Sequence, residues 1–92
     1  MTAAVLAWTL SRLDQGHSVV VASVISTSGS VPGKVGAKLA LSGFDEHEQW
    51  VGTVGGAGLE MKVLERSREL LKQSSKPSGE VLTYGLHKGA KG

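Results

Sequence analysis

Two glycine-rich segments hold most of the residues with chemical potential in this chain. The first reads Ser28-Gly29-Ser30-Val31-Pro32-Gly33-Lys34-Val35-Gly36, with Lys38 just beyond. The second reads Gly52-Thr53-Val54-Gly55-Gly56-Ala57-Gly58 and continues into Leu59-Glu60. In the first, the hydroxyls of Thr27, Ser28 and Ser30 stand near Lys34 and Lys38, a set able to bind a phosphate group. The same residue types also serve as turn formers and solvated charges. The second segment passes from a strand, through glycines, into a helix. Such a junction aims free backbone N–H groups and the positive end of a helix dipole at one point, where an anion can sit. A tight strand-to-helix turn with no ligand uses the same residues. Glu60 falls in the first helical turn, where a carboxylate gains about 0.3–1 kcal/mol from the dipole. It could also accept hydrogen bonds from the N–H groups of a ligand.

Several other chemistries are excluded or weakened. A Walker phosphate loop needs four residues between its glycines and a hydroxyl residue after the lysine. Here three residues separate Gly29 from Gly33, and Val35 follows Lys34. A dinucleotide fingerprint needs a third glycine where this chain has Met61, and an acidic residue ending the next strand, whereas Glu80 opens it. Without cysteine there are no disulfides, thiolate metal sites or thiol nucleophiles. His17, His47 and His87 lack metal-type spacing, and no serine sits in a nucleophile elbow. A net charge of +2 and only four aromatic residues offer no footprint for nucleic acid. Trp8 and Trp50 read as core or interface residues, and Lys62, Arg66, Arg68 and Lys72 as a solvated helix face. No run of apolar residues is long enough to span a bilayer, and no signal peptide is read at the N-terminus. A cytoplasmic protein is expected.

The elements that must position these loops follow from periodicity. Thr2 to Gln15 predicts a helix, with Thr2 as its cap, Leu6, Leu10 and Leu13 at helical spacing and Gly16 as its stop. Val19 to Thr27 is β-branched and predicts a buried strand. Ala37 to Leu41 alternates like a strand with one buried side. Ser42 to Glu48 suits a hairpin connection, and Gln49 to Val54 a third strand. A second helix is expected from about Leu59 to Gln73, with Val63, Leu64, Leu70 and Leu71 on one stripe and Glu69 able to pair with Lys72. Pro77 lies in a linker, and Glu80 to Tyr84 reads as a last strand. The tail 85–92 has no core pattern. Ninety-two residues suffice for one small domain with a thin core. The fold class expected is α+β: a single small mixed β-sheet with two helices packed on it, in the order α-β-β-β-α-β.

Taken as a pair, the two loops resemble the signatures of the XdhC/CoxI family, in its N-terminal domain. Thr27 to Leu39 resembles a signature of Gly-Ser-x-Pro-Arg, a short spacer, Gly-Ala and an apolar strand. Gly52 to Glu60 resembles a second signature of Gly-Thr, an apolar residue, a glycine triplet, two residues and Glu. The strings occur in the family's order, behind a helix ending in glycine and a valine-rich strand. Two departures stand out. The family's arginine after proline is Gly33 here, with Lys34 beside it, and lysine grips an oxyanion only as a point charge. Ala57 interrupts the glycine triplet.

The resemblance implies an accessory protein, not an enzyme, that binds molybdenum cofactor (molybdopterin) and assists its insertion into molybdoenzymes of the xanthine dehydrogenase class. It implies a cofactor-binding set of Ser28, Gly29, Ser30, Lys34, Lys38, Gly55, Gly56, Gly58 and Glu60, with no catalytic or metal-ligating residue. Family members continue into a Cys-Gly-Gly segment and a Rossmann-type domain. The expectation is therefore a fragment, or a small protein partnered by a separate Rossmann-type chain and by further copies of itself, with neither nucleic acid nor membrane as a partner. Two alternatives stay open. One is a non-catalytic interaction or oligomerisation module whose ligand site lies on the Rossmann-type domain. The other, disfavoured by the incomplete fingerprint, is a component of a nucleotide-dependent oxidoreductase.

Overall fold

The computed structural model describes residues 2–27, 34–73 and 76–84. Helix α1 covers Thr2–Asp14, and three strands follow: β1 (Val19–Ser23), β2 (Lys38–Ser42) and β3 (Gln49–Gly52). A 3-10 turn at Asp45–His47 links β2 to β3, and helix α2 spans Ala57–Gln73. The sheet order is β1-β2-β3, and both pairings are antiparallel. Val21 faces Ala40, and Ala40 faces Val51, across the three strands.

Alternation along β2 sorts its side chains onto two faces. Leu39 and Leu41 join Val54 and Leu64 of α2 in the core cluster, with Val24, Leu59, Val63 and Leu71 packed around it. Ala40 and Ser42 face the other way, and the Arg12 Nε of α1 donates to Ser42 Oγ at 3.4 Å. The helices thus cover opposite faces of one sheet, and β2 is buried from both sides from Leu39 to Ser42. That double cover explains how a serine comes to lie fully buried: Ser42 Oγ donates to the Ser18 carbonyl at 2.8 Å, so its burial leaves no unmet hydrogen bond.

Both predicted helices form, and so do the first three strands, but β1 ends at Ser23 and not Thr27, and as an edge strand it is only partly buried. Glu80–Tyr84 does not join the sheet. No described strand pairs with this segment, Val81 and Leu82 stay exposed, and Glu80 is held instead by Arg66 of α2 through Nε and Nη2 at 2.6 and 2.8 Å. β-branched residues favour a strand only when a neighbour supplies the ladder. The described sheet is accordingly wholly antiparallel, not mixed. The tail 85–92 lies outside the described residues.

α1 also turns differently from its leucine spacing. Val5 and Thr9 face the sheet and are buried, while Leu6, Leu10 and Leu13 remain exposed. The close approach of α1 to the sheet selects for small side chains. Thr9 fits because its hydroxyl donates back to the Val5 carbonyl at 2.9 Å. The Thr2 hydroxyl meets the Gly36 carbonyl and does not cap its own helix. On α2, Glu69 pairs with Arg66 at 2.7 Å and not with Lys72.

Candidate functional site at the start of the second helix

The chain leaves β3 at Gly52, which adopts φ 87°. Only glycine fits this step. A side chain there would overlap the Lys38 carbonyl oxygen and come within 2.8 Å of Val5 Cγ2. Thr53 N–H then donates to that same Lys38 carbonyl at 3.0 Å, which pins the loop to the start of β2. Val54 drops into the core and anchors the loop from below. Gly55, at φ 130°, donates its N–H to Thr53 Oγ1 at 3.1 Å. The loop is therefore fixed at three points before the helix begins.

The first intrahelical bond of α2 runs from Glu60 N–H to the Gly56 carbonyl at 2.8 Å. Gly56 is thus the N-cap, and it has no side chain with which to cap. The N–H groups of Ala57, Gly58 and Leu59 have no acceptor within the helix, as helix geometry requires. They carry the positive end of the dipole of a 17-residue helix. The space beside Gly58 is open, with no described heavy atom beyond its chain neighbours and the adjoining helix backbone within 4 Å of where a Cβ would stand. Glu60 is half-buried in the first turn of α2, and its carboxylate has no hydrogen-bond partner among the described residues. The arrangement offers N–H donors for an anion, with an acceptor carboxylate beside them.

The other residues expected at this site are placed as follows. Ser28, Gly29 and Ser30 lie outside the described residues. Lys34 is exposed, and its carbonyl accepts from Ala37 N–H at 3.0 Å. The Lys38 backbone adjoins the glycine loop, but its side chain leaves on the α1 face of the sheet, where Nζ donates to Ser23 Oγ at 2.9 Å. Gly55, Gly56, Gly58 and Glu60 are gathered on the α2 side. Thr53 is the residue that sequence reasoning missed. Its signal was a hydroxyl two residues ahead of a glycine, the pattern of a side chain closing a turn on its own backbone.

A small cleft of about 180 Å³ opens elsewhere, among Gly43, Phe44, Asp45, Glu48, Arg68 and Lys72. Arg68 lies twelve residues beyond Gly56, or roughly 18 Å along the chain at helical rise. This cleft and the glycine loop are separate features. Among the described residues, no group of three or more His, Cys, Asp or Glu is placed to hold a metal, and no helix is long and apolar enough to cross a membrane.

The two helices and the three-stranded antiparallel sheet define a small α+β module. Residues 12–85 match the family model for the XdhC and CoxI family, and the chain belongs to that family. Membership in this family suggests a role accessory to molybdoenzymes. No curated protein and no solved structure matches the chain significantly.

Proposed function

We propose that this module binds molybdenum cofactor and assists its insertion into a molybdoenzyme of the xanthine dehydrogenase class. The observation that supports the reading is the start of α2: three N–H groups and a Glu60 carboxylate with no hydrogen-bond partner among the described residues, and open space at Gly58. Molybdopterin is an anionic pterin, with a phosphate and a hydrogen-bonding N–H edge. The residues present fit that chemistry. The helix start takes the phosphate, and Glu60 accepts from the pterin edge. Lys34 and the hydroxyls of Ser28 and Ser30 belong to the same proposed set, with Gly29, Gly55 and Gly56 as the backbone that lets the ligand approach. Lys38 contributes through the backbone carbonyl that fixes the loop, since its ammonium is engaged with Ser23 on the other face.

With no cysteine in the chain, these contacts are made to the organic part of the cofactor. The protein shields and presents the group, and the redox chemistry stays with the client enzyme. The test is a titration with molybdopterin, read by pterin fluorescence, on the native chain and on Lys34→Ala and Glu60→Ala. Each variant is expected to weaken binding by about tenfold, as loss of a charge-assisted hydrogen bond of about 1.5 kcal/mol would do. Unchanged affinity in both would remove these residues from the site.

A further inference from the structure

The geometry points to a second copy of this chain as the occupant of the outer edge of β1, joined by antiparallel β1–β1 pairing and roofed by the leucines of α1.

The polar groups of that edge can be assigned. Val24 N–H donates to the Ala37 carbonyl, and Gly36 N–H donates to the Val24 carbonyl. Even-numbered residues along this stretch therefore turn their backbone groups inward, toward β2. Val19, Val21 and Ser23 turn theirs outward, on a strand that lies at the edge of the sheet. Edge strands that stay single carry lysine, proline or a bulge to discourage pairing. β1 reads Val-Val-Val-Ala-Ser, with no charge and no proline, in unbroken register with β2. The three outward-facing residues are symmetric about Val21. An antiparallel partner in that register places Val21 opposite itself and Val19 opposite the second copy's Ser23, which is the self-complementary arrangement of a two-fold dimer.

The leucines of α1 lie above the same edge. Thr2 reaches Gly36, and Arg12 reaches Ser42, so α1 runs along β2 in the same direction. Leu6, Leu10 and Leu13 sit roughly a quarter turn around the helix from Val5, Thr9 and Arg12, at 100° per residue. The Lys38 carbonyl is bonded to Thr53, so the backbone groups of β2 residues beneath α1 point to β3. For L-residues in a right-handed helix, this fixes the leucine flank on the β1 side. That is the side of Val21 and Ile25, which alternation places on the α1 face of β1 and its continuation. Leu6 is 43% exposed, Leu10 65%, Leu13 50%, Val21 40% and Ile25 64%. These five side chains expose about 450 Å², as large as the main apolar patch of a typical monomer. A standard interface needs about 800 Å² from each partner, so these side chains form the apolar centre of an interface whose rim is the strand edge and its flanks.

Because the chain has no cysteine, single cysteines report the register directly. Across the two-fold axis, paired Val21 positions stand about 5.5 Å apart, within disulfide reach. Ser23 and its symmetry mate stand about 14 Å apart at strand rise, beyond that reach. On mild oxidation of the full chain, Val21→Cys is expected to give a covalent dimer and Ser23→Cys none. In sedimentation, the native chain is expected to be dimeric and Leu10→Lys monomeric, with the circular dichroism spectrum unchanged. Equal cross-linking of both cysteine variants overturns the register. A monomeric native chain, or a dimer that survives Leu10→Lys, overturns the interface.

Discussion

Arg68 holds Glu48 with two parallel hydrogen bonds, Nε to Oε1 at 2.7 Å and Nη2 to Oε2 at 2.9 Å. The pair ties the second half of α2 to the turn that leads into β3, across twenty residues of sequence. α2 rests on β1 and β2 and does not reach β3, which packs against α1, so this bridge is the described polar tie between α2 and the approach to β3. Hydrogen bonds from Arg68, with the positive charges of Arg68 and Lys72, hold the Glu48 carboxyl below its ordinary value of 4.5, against a smaller opposing effect of burial.

A pH dependence follows, and its sign is fixed. The Glu48 carboxyl is more acidic folded than unfolded, so its contribution is complete above the unfolded value near 4.5 and is lost as pH falls through the lower folded value. Arg68 stays charged throughout this range. The Arg68 side chain is 41% exposed, and solvent screening limits the pair to about 1 kcal/mol. Glu48→Gln is therefore expected to lower stability by about 1 kcal/mol at neutral pH, and by progressively less on acidification below pH 4.5. Urea unfolding of both proteins across that range checks it. A difference independent of pH would show that the ion pair is not the cause.

Gly52→Ala tests whether the glycine loop is fixed by sterics. A β-carbon would strike the Lys38 carbonyl and Val5, in a backbone conformation at φ 87° that side chains avoid. The expected loss is about 2–4 kcal/mol, the strain of the conformation plus displacement of backbone and α1. Gly58→Ala, at an open position inside the helix, is expected to stabilise by about 0.5–1 kcal/mol. Thermal unfolding of the two variants should move in opposite directions.

Glu80 ties the segment after α2 to that helix, and its carboxyl is held below the usual range by hydrogen bonds from Arg66. Glu80→Gln is expected to speed amide exchange across 76–84 while leaving exchange in β2 unchanged. Faster exchange in β2 as well would mean that this segment supports the core.

The sequence made the two helices, the first three strands and the glycine junction legible because each rests on local rules: periodicity, β-branching and the punctuation of glycine. Leu39 and Leu41 were placed correctly on one face by alternation alone. The misreadings share a cause, which is that the deciding partner is distant in sequence. Leu6, Leu10 and Leu13 looked like the buried stripe of α1, but the buried positions are Val5 and Thr9. Periodicity finds an apolar stripe and cannot say whether the sheet or another surface covers it. Glu80 to Tyr84 had the composition of a strand, and composition carries no information on whether a free edge lies within reach. Lys38 adjoins the loop in sequence, but alternation along β2 sends its ammonium to the opposite face of the sheet. Gly55, Gly56, Gly58 and Glu60 were legible together because one junction holds them all.

Gly58→Glu separates the needs of the fold from those of the ligand. A carboxylate in the first turn of α2 interacts favourably with the helix dipole, by about 0.3–1 kcal/mol, and glutamate is a better helix former than glycine. The open space at this position accepts the side chain. The variant is expected to melt at a higher temperature than the native chain. The same negative charge would stand where the phosphate is proposed to bind, competing for the N–H groups of Ala57, Gly58 and Leu59. Affinity for molybdopterin is therefore expected to fall at least tenfold in a protein that is more stable. If the stabilised variant binds as well as the native chain, the anion is held elsewhere, and the start of α2 serves only to turn the chain from strand to helix.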